Sequence, residues 1–210
     1  MPTPSFADLG LNEQLLKSLA ESGFTAPTAV QELAIPQLLK SEQDSVVLAQ
    51  TGTGKTAAYG LPLLQQLDPS VNAVQALILS PTRELCMQIT KDFDRFAKYM
   101  KGIKSVAVYG GAPIRDQIRD IRKGAQIVVA TPGRLLDLLG REAIDLALVD
   151  IVVLDEADEM LNMGFQEDLT AILETTRKDK RTWLFSATMG SEVRRIATRY
   201  MREAQEINVG

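Results

Sequence analysis

Histidine does not occur anywhere in the 210 residues. No histidine general base, Ser–His–Asp triad or histidine-ligated metal can be built within this chain. Cysteine occurs once, at Cys86, which excludes an intrachain disulfide and agrees with a reducing, cytoplasmic setting. Positive charge is in deficit: 23 Lys and Arg stand against 27 Asp and Glu, for a formal net charge of −4. A global basic field that draws in nucleic acid is excluded, so any such contact must be local, made by backbone amides, helix N-termini and a few arginines. Apolar runs never approach membrane-spanning length, and Met1-Pro2-Thr3-Pro4-Ser5 lacks the pattern of a secretory signal. There is no internal repeat and no low-complexity tract.

What is present is ordinary for a folded α/β domain: 45% hydrophobic and 24% charged residues over a length suited to one domain. Short apolar runs at 46–48, 76–79, 106–108, 127–130, 151–154 and 182–185 read as strands, with a last candidate at 206–209. They are continuous rather than alternating, as expected when helices cover both faces of a sheet. Helical patterns occupy 12–21, 28–39, 56–67, 83–100, 114–122, 132–139, 165–176 and 191–201. Alternation of strand and helix predicts a mostly parallel, twisted, doubly wound sheet, whose ligands sit beyond the C-terminal strand ends.

Ala49-Gln50-Thr51-Gly52-Thr53-Gly54-Lys55-Thr56 lies between the strand at 46–48 and a helical pattern. Strand, glycine-rich turn, Lys-Thr and helix is the layout of a phosphate-binding loop. Its amides and the positive end of the helix favour phosphate. Lys55 is placed to reach the β- and γ-phosphates, and the Thr56 hydroxyl to bind Mg²⁺. Ala49 departs from the common pattern, which has glycine there. Downstream, Asp155-Glu156-Ala157-Asp158 follows the run Asp150-Ile151-Val152-Val153-Leu154. Mg²⁺ takes hard oxygen ligands and retains waters, so one carboxylate, Asp155, with Thr56 and phosphate oxygens is sufficient. Glu156 is placed to orient or activate an attacking water. Taken alone, the acidic cluster is also a favourable first helical turn.

Asp-Glu-Ala-Asp in this position resembles the name-giving motif of the DEAD-box RNA helicases, and the resemblance extends over essentially the whole chain, in the right order. Phe6 followed by Gly23-Phe24-Thr25-Ala26-Pro27-Thr28-Ala29-Val30-Gln31 is similar to the family's Q motif. Alanine at the position of Ala49 is common in the family. Pro81-Thr82-Arg83-Glu84-Leu85, Gly110-Gly111 and Thr131-Pro132-Gly133-Arg134 match its RNA-contacting motifs. Ser186-Ala187-Thr188 matches the motif that couples hydrolysis to unwinding.

The resemblance implies a RecA-like fold, ATP and ADP as nucleotides, Mg²⁺ as cofactor and RNA as partner. It implies that Phe24 stacks on the base with Phe6 upstream, that Gln31 reads the adenine edge, and that Thr28 links this segment to the phosphate loop. Gln50, Thr51, Gly52, Thr53, Gly54, Lys55 and Thr56 would surround the phosphates. Pro81, Thr82, Arg83, Gly110, Gly111, Thr131, Pro132, Gly133 and Arg134 would hold the RNA backbone without base specificity. Each of these motifs follows a strand, so Thr82, Gly111 and Thr131 are expected to present free amides to phosphate. Asp158, Ser186 and Thr188 would transmit the state of the nucleotide site.

Cys86 and Trp183 are expected in the core. Met160, Met163 and Phe165 read as one apolar side, and Arg195, Arg199 and Arg202 as one solvated helix face. The expected organisation is a single domain, with residues 1–40 as the Q-motif region and 41–210 as the phosphate-loop core. The second helicase domain, with the family's arginine fingers, lies outside this chain, and a monomer without membrane contact is expected. A non-catalytic nucleotide- or RNA-binding module is the alternative. A small-molecule kinase would require an arginine-rich lid, which is not visible.

Overall fold

The computed structural model describes residues 2–210. A short 3-10 turn, Phe6–Leu9, precedes helix α1 (Glu13–Glu21) and helix α2 (Ala29–Lys40). Then follow β1 (Ser45–Leu48), α3 (Lys55–Gln65), β2 (Ala76–Leu79), α4 (Arg83–Phe96), β3 (Ser105–Val108), α5 (Ile114–Arg122), β4 (Ile127–Ala130) and α6 (Pro132–Gly140). The chain continues through β5 (Ile151–Leu154), α7 (Ala157–Asn162), α8 (Gln166–Thr175), β6 (Arg181–Ser186), α9 (Ser191–Tyr200) and β7 (Gln205–Asn208).

The seven strands form one sheet in the order β3-β4-β2-β5-β6-β1-β7, and every pairing is parallel. Period-two alternation sends successive strand residues to opposite faces. Ala76 and Ile78, Ile127 and Val129, Ile151 and Val153, and Trp183 and Phe185 join one buried cluster, with Leu15, Ile35, Leu61 and Phe93 of α1 to α4. Leu77 and Leu79, Val128, Val152, Leu154 and Leu184 join the other, with Leu135, Met160, Ile172 and Ile196 of α6 to α9. This two-sided burial is the reason the strands read as continuous apolar runs.

Several boundaries differ from expectation. Helix α4 stops at Phe96, because residues 97–99 form turns and strand β3 follows closely. Helix α7 is additional: six residues cannot display a repeating apolar stripe, so nothing in the sequence pattern isolates it. Met160 is fully buried while Met163 is exposed, so these two do not share one face. Arg202 lies beyond the end of α9, and its guanidinium donates to the Lys180 carbonyl at 3.2 Å, so it does not share the Arg195–Arg199 surface. No described helix is long and apolar enough to cross a membrane.

Candidate functional site

The phosphate loop leaves β1 at the sheet's C-terminal end. It is anchored there by the Ala49 amide, which donates to the Ser186 carbonyl of β6 at 3.0 Å. Within the turn the Thr53 hydroxyl donates to the Gln50 carbonyl at 2.6 Å. Gly52 and Gly54 have φ of 79° and 89°, a region that a side chain resists. Gly54 is also the N-cap of α3, and a Cβ there would lie 2.5 Å from Gln31 Nε2.

Gln31 is only 2% exposed and joins the loop to α2. Its Nε2 donates to the Gly54 carbonyl at 3.2 Å, and its Oε1 accepts the Thr28 amide at 2.9 Å. Thr28 caps α2 in a reciprocal capping box with Gln31. Thr28, Gln31 and Gly54 therefore form one contact. The ring contacts of Phe6 and Phe24 run elsewhere. Their centroids are 6.1 Å apart, and Phe24 meets the Phe96 ring edge-on at 5.8 Å, with the Arg95 guanidinium 5.5 Å from its centre. Phe6 belongs to the core cluster formed with α1 to α4, and Phe24 packs against it.

Helix α3 points Lys55 at the end of β5. Lys55 is 6% exposed, and its Nζ lies 3.2 Å from Glu156 Oε1. One turn along, the buried Tyr59 hydroxyl donates to Asp155 Oδ2 at 2.8 Å. Asp155 is 4% exposed, and its Oδ1 is buried without a partner among the described residues. Burial pushes the Asp155 carboxyl up to about 6, against the opposing effects of Lys55 and of the Tyr59 hydrogen bond. Burial, and then the Asp155 charge, push the Tyr59 phenol well above its usual range. Glu156 has φ 52° and ψ 48°, an uncommon left-handed conformation for a residue with a side chain. That turn sends Asp155 and Glu156 to different partners.

The donor chemistry fits a hard divalent cation: Asp155 offers a buried carboxylate oxygen without a partner, and Thr56 a hydroxyl in the first turn of α3. No group of three or more His, Cys, Asp or Glu side chains gathers among the described residues, so an all-protein metal cage is not formed. Cys86 is buried, and its thiol is pushed up to about 12 mainly by that burial, which leaves it inert as a nucleophile.

The next strand carries a linked set. Ser186 Oγ accepts the Asp158 amide at 3.2 Å and donates to the Thr188 carbonyl at 2.7 Å. Asp158 Oδ2 accepts both the amide and the hydroxyl of Thr188, at 3.1 and 3.0 Å. Asp158, Ser186 and Thr188 are therefore brought together as a bridge between α7 and the loop after β6.

The remaining motif residues gather at the same edge of the sheet, over β2, β4 and β3. Thr82 caps α4 by accepting the Leu85 amide at 3.2 Å, beside the buried Pro81. Arg83 is exposed and lies 5.1 Å from the Tyr109 ring centre, next to Gly110 and Gly111. Thr131 and Pro132 open α6. The expectation of a free Thr131 amide fails, because that amide donates to the Val108 carbonyl at 2.9 Å. The open donors of that turn are the first-turn amides of Gly133 and Arg134, which have no intrahelical acceptor. The Arg134 guanidinium is held inside the protein, donating to the Ala112 carbonyl and to Gln117 Oε1, each at 3.0 Å. Gln117 Nε2 donates in turn to the Tyr109 carbonyl at 3.0 Å. Gln117 and Tyr59 were not among the sequence candidates. The only signal for Tyr59 is its position three and four residues after Thr56 and Lys55 on a helix.

A groove of about 600 Å³ runs along the β3 edge past Asp94, Lys104 and Tyr109 and does not reach the phosphate loop. Chemistry rather than volume marks the site, since a loop open to solvent encloses little space.

The DEAD/DEAH box helicase family model matches residues 28–196. The chain is 49% identical over 205 residues to the ATP-dependent RNA helicase DeaD of Escherichia coli, covering 98% of this chain and 32% of that protein. It is 47% identical over 204 residues to the ATP-dependent RNA helicase CshA of Listeria monocytogenes, covering 97% of this chain and 39% of that one. The chain thus spans well under half of these curated relatives. The crystal structure of a DEAD box protein from the hyperthermophile Methanococcus jannaschii superposes with a TM-score of 0.94 at 42% identity, over 98% of this chain and 56% of that one. A hypothetical ATP-dependent RNA helicase from Sulfolobus tokodaii gives 0.87 at 42% identity, over 95% and 57%. With its all-parallel RecA-like sheet and a family match across most of its length, the chain belongs to the DEAD/DEAH box helicase family.

Proposed function

We propose that this chain is the ATP-binding, N-terminal RecA-like domain of an RNA helicase, in which binding and hydrolysis of ATP drive local separation of RNA strands. The observation that carries the reading is the division of the sheet's C-terminal edge. β1, β5 and β6 bear Lys55, Asp155–Glu156 and Ser186–Thr188, while β2, β4 and β3 bear Thr82–Arg83, Thr131–Arg134 and Gly110–Gly111. The two sets adjoin where β5 pairs with β2.

In this reading residues 50–54 cradle the phosphates through backbone amides, and Lys55 neutralises their charge. Thr56 and Asp155 would hold Mg²⁺, which when bound would supply charge stabilisation to the phosphoryl group. A phosphate at Lys55 competes with Glu156 for the ammonium group, and Glu156 released from that pair is able to orient water or take its proton. Gln31 uses one N–H and one lone pair internally. A second N–H and a second lone pair remain, the complement of an adenine edge. Stacking of Phe24 on the base, beside Phe6, requires its ring to leave its edge-on contact with Phe96. Asp158, Ser186 and Thr188 carry the state of the β5 end to the segment after β6.

The RNA strand lies along the first-turn amides of α4 and α6, the Gly110–Gly111 loop and Arg83, with Arg134 fixing that loop from beneath. Such contacts follow sugar and phosphate and read little sequence. Residues 1–40 act as the Q-motif region and 41–210 as the phosphate-loop core. A second RecA-like domain of the parent closes the cleft and supplies arginine to the γ-phosphate, an effect of roughly 10³–10⁵ in rate in related phosphoryl transfer. The parent is read as a cytoplasmic monomer.

The test is phosphate release from Mg·ATP by the 210-residue chain, with and without RNA, and with and without a separately added second domain. Turnover is expected only with both RNA and that domain, and Lys55→Ala is expected to abolish it. Robust RNA-stimulated turnover by the 210-residue chain alone would overturn the two-domain reading.

A further inference from the structure

Beneath the nucleotide site lies one buried group that the reading above does not use. Tyr59 is fully buried on α3, its ring packed at 5.1 Å against Phe185 and at 6.3 Å against Phe93. An aliphatic or phenylalanine side chain suffices for such packing, whereas a phenol inside an apolar layer requires a hydrogen-bond partner. The partner is Asp155, 96 positions away in sequence and on a different element, with the phenol donating to Oδ2 at 2.8 Å. Tyr59 therefore bonds directly to Asp155, one of the two residues read as cation ligands.

We propose that Tyr59 is a positioning residue for the divalent-cation site, an inference that rests on the nucleotide-binding reading above. A carboxylate has two oxygens and can turn about its terminal torsion. A donor fixed on α3 pins Oδ2 and so fixes the plane of the group. The second oxygen, Oδ1, is then left buried and without a partner, as the structure has it. Pinned in this way, Asp155 holds its unpartnered oxygen fixed in direction, so little rotational freedom is left to lose when a cation binds. A hydrogen bond outside the ligand set orients the ligand, which is how outer-shell groups raise metal affinity. Lys55 does not perform this service, because its ammonium pairs with Glu156.

Tyr59→Phe removes only the hydroxyl, and Phe185→Leu perturbs the ring packing while leaving the phenol. Affinity for a fluorescent N-methylanthraniloyl-ADP is measured for each chain in excess Mg²⁺ and in EDTA, and Mn²⁺ affinity by electron paramagnetic resonance in the presence of ADP. In the Tyr59→Phe chain the Mg²⁺-dependent gain in ADP affinity is expected to fall about tenfold, as is Mn²⁺ affinity, for the loss of one outer-shell hydrogen bond. Affinity in EDTA is expected to stay within about twofold, and Phe185→Leu to keep the full Mg²⁺-dependent gain. Equal losses in Mg²⁺ and EDTA, or no loss in either, would show that Tyr59 is packing alone and overturn the proposal. A parent chain that binds the ADP probe in neither condition would instead overturn the nucleotide-binding reading, and this proposal with it.

Discussion

Asp155 is an acid held where its charged form is disfavoured. Burial pushes it up to about 6, from an unfolded value near 3.8. Below the lower value both states are protonated and Asp155 does not affect stability. Between the two, the folded chain retains a proton that the unfolded chain has lost, so stability falls as pH rises through that window. Above about 6 the folded state bears the whole cost of a buried charge, on the order of 3 kcal/mol at 1.4 kcal/mol per unit. Asparagine has no charge to bury and can still accept the Tyr59 hydrogen bond. Asp155→Asn is therefore expected to be more stable than the parent by about 1–3 kcal/mol at pH 7, with the gap closing toward pH 4. Denaturant melts of both chains at the two pH values measure this; a parent as stable as the variant at pH 7 would show that the charge is fully compensated. The neighbouring Glu156 holds left-handed backbone angles, a second unfavourable arrangement in consecutive residues. Destabilised groups of this kind cluster where a ligand is to be met.

At the scale of elements, α7 is tied to the loop after β6 by Asp158, Ser186 and Thr188, and little else in that loop is buried. Thr188 is exposed, so Thr188→Val is expected to cost under about 1 kcal/mol of global stability. It removes one of the two bonds to Asp158 Oδ2, and α7 is expected to open more often. Hydrogen exchange of amides in 157–163 should then quicken about fivefold while the β2 and β4 amides stay as slow as before, since local opening follows local bonds. Uniform quickening across the sheet would mean that Thr188 supports the whole fold instead. The strands could be read from the chain because their burial on both faces leaves a local signature, a continuous apolar run. Helices α1, α2 and α4 also carry a local mark, the capping side chains Asn12, Thr28 and Thr82. Lys55, Asp155 and Glu156 could be placed because strand ends set their positions. In the sequence nothing separates Tyr59 from the apolar residues of α3, or Gln117 from the polar residues of α5. Their partners come from other elements, and no local pattern encodes a contact between elements. The free Thr131 amide was expected from its place in a turn and was lost to a sheet bond that only the pairing of β3 with β4 supplies.

Across the whole molecule, the net charge of −4 limits how RNA can be held. In the proposed interface Arg83 is exposed, whereas the Arg134 guanidinium already serves the Ala112 carbonyl and Gln117. Amides of Gly133, Arg134 and the first turn of α4 supply the other donors, and they carry no full charge. One or two phosphates are therefore neutralised by side-chain cations. Each contributes about −0.7 to the slope of log K against log salt for a single strand. The expected slope is between about −0.7 and −1.5, measured by fluorescence anisotropy of a labelled oligouridylate at a series of KCl concentrations. Oligoadenylate should bind within about threefold of oligouridylate, because backbone contacts do not read bases. Arg195 and Arg199 provide the internal control. They lie on α9, which follows β6 on the β5–β6–β1 half of the edge, and Arg199 already pairs with Glu174 at 3.2 Å. A slope steeper than about −3 would require cations beyond Arg83 and Arg134, and would place the RNA track across α9 instead of over β2, β4 and β3. A shallow slope that is unchanged by Arg195→Ala but flattened by Arg83→Ala would leave the strand on the half of the sheet where the amides are free.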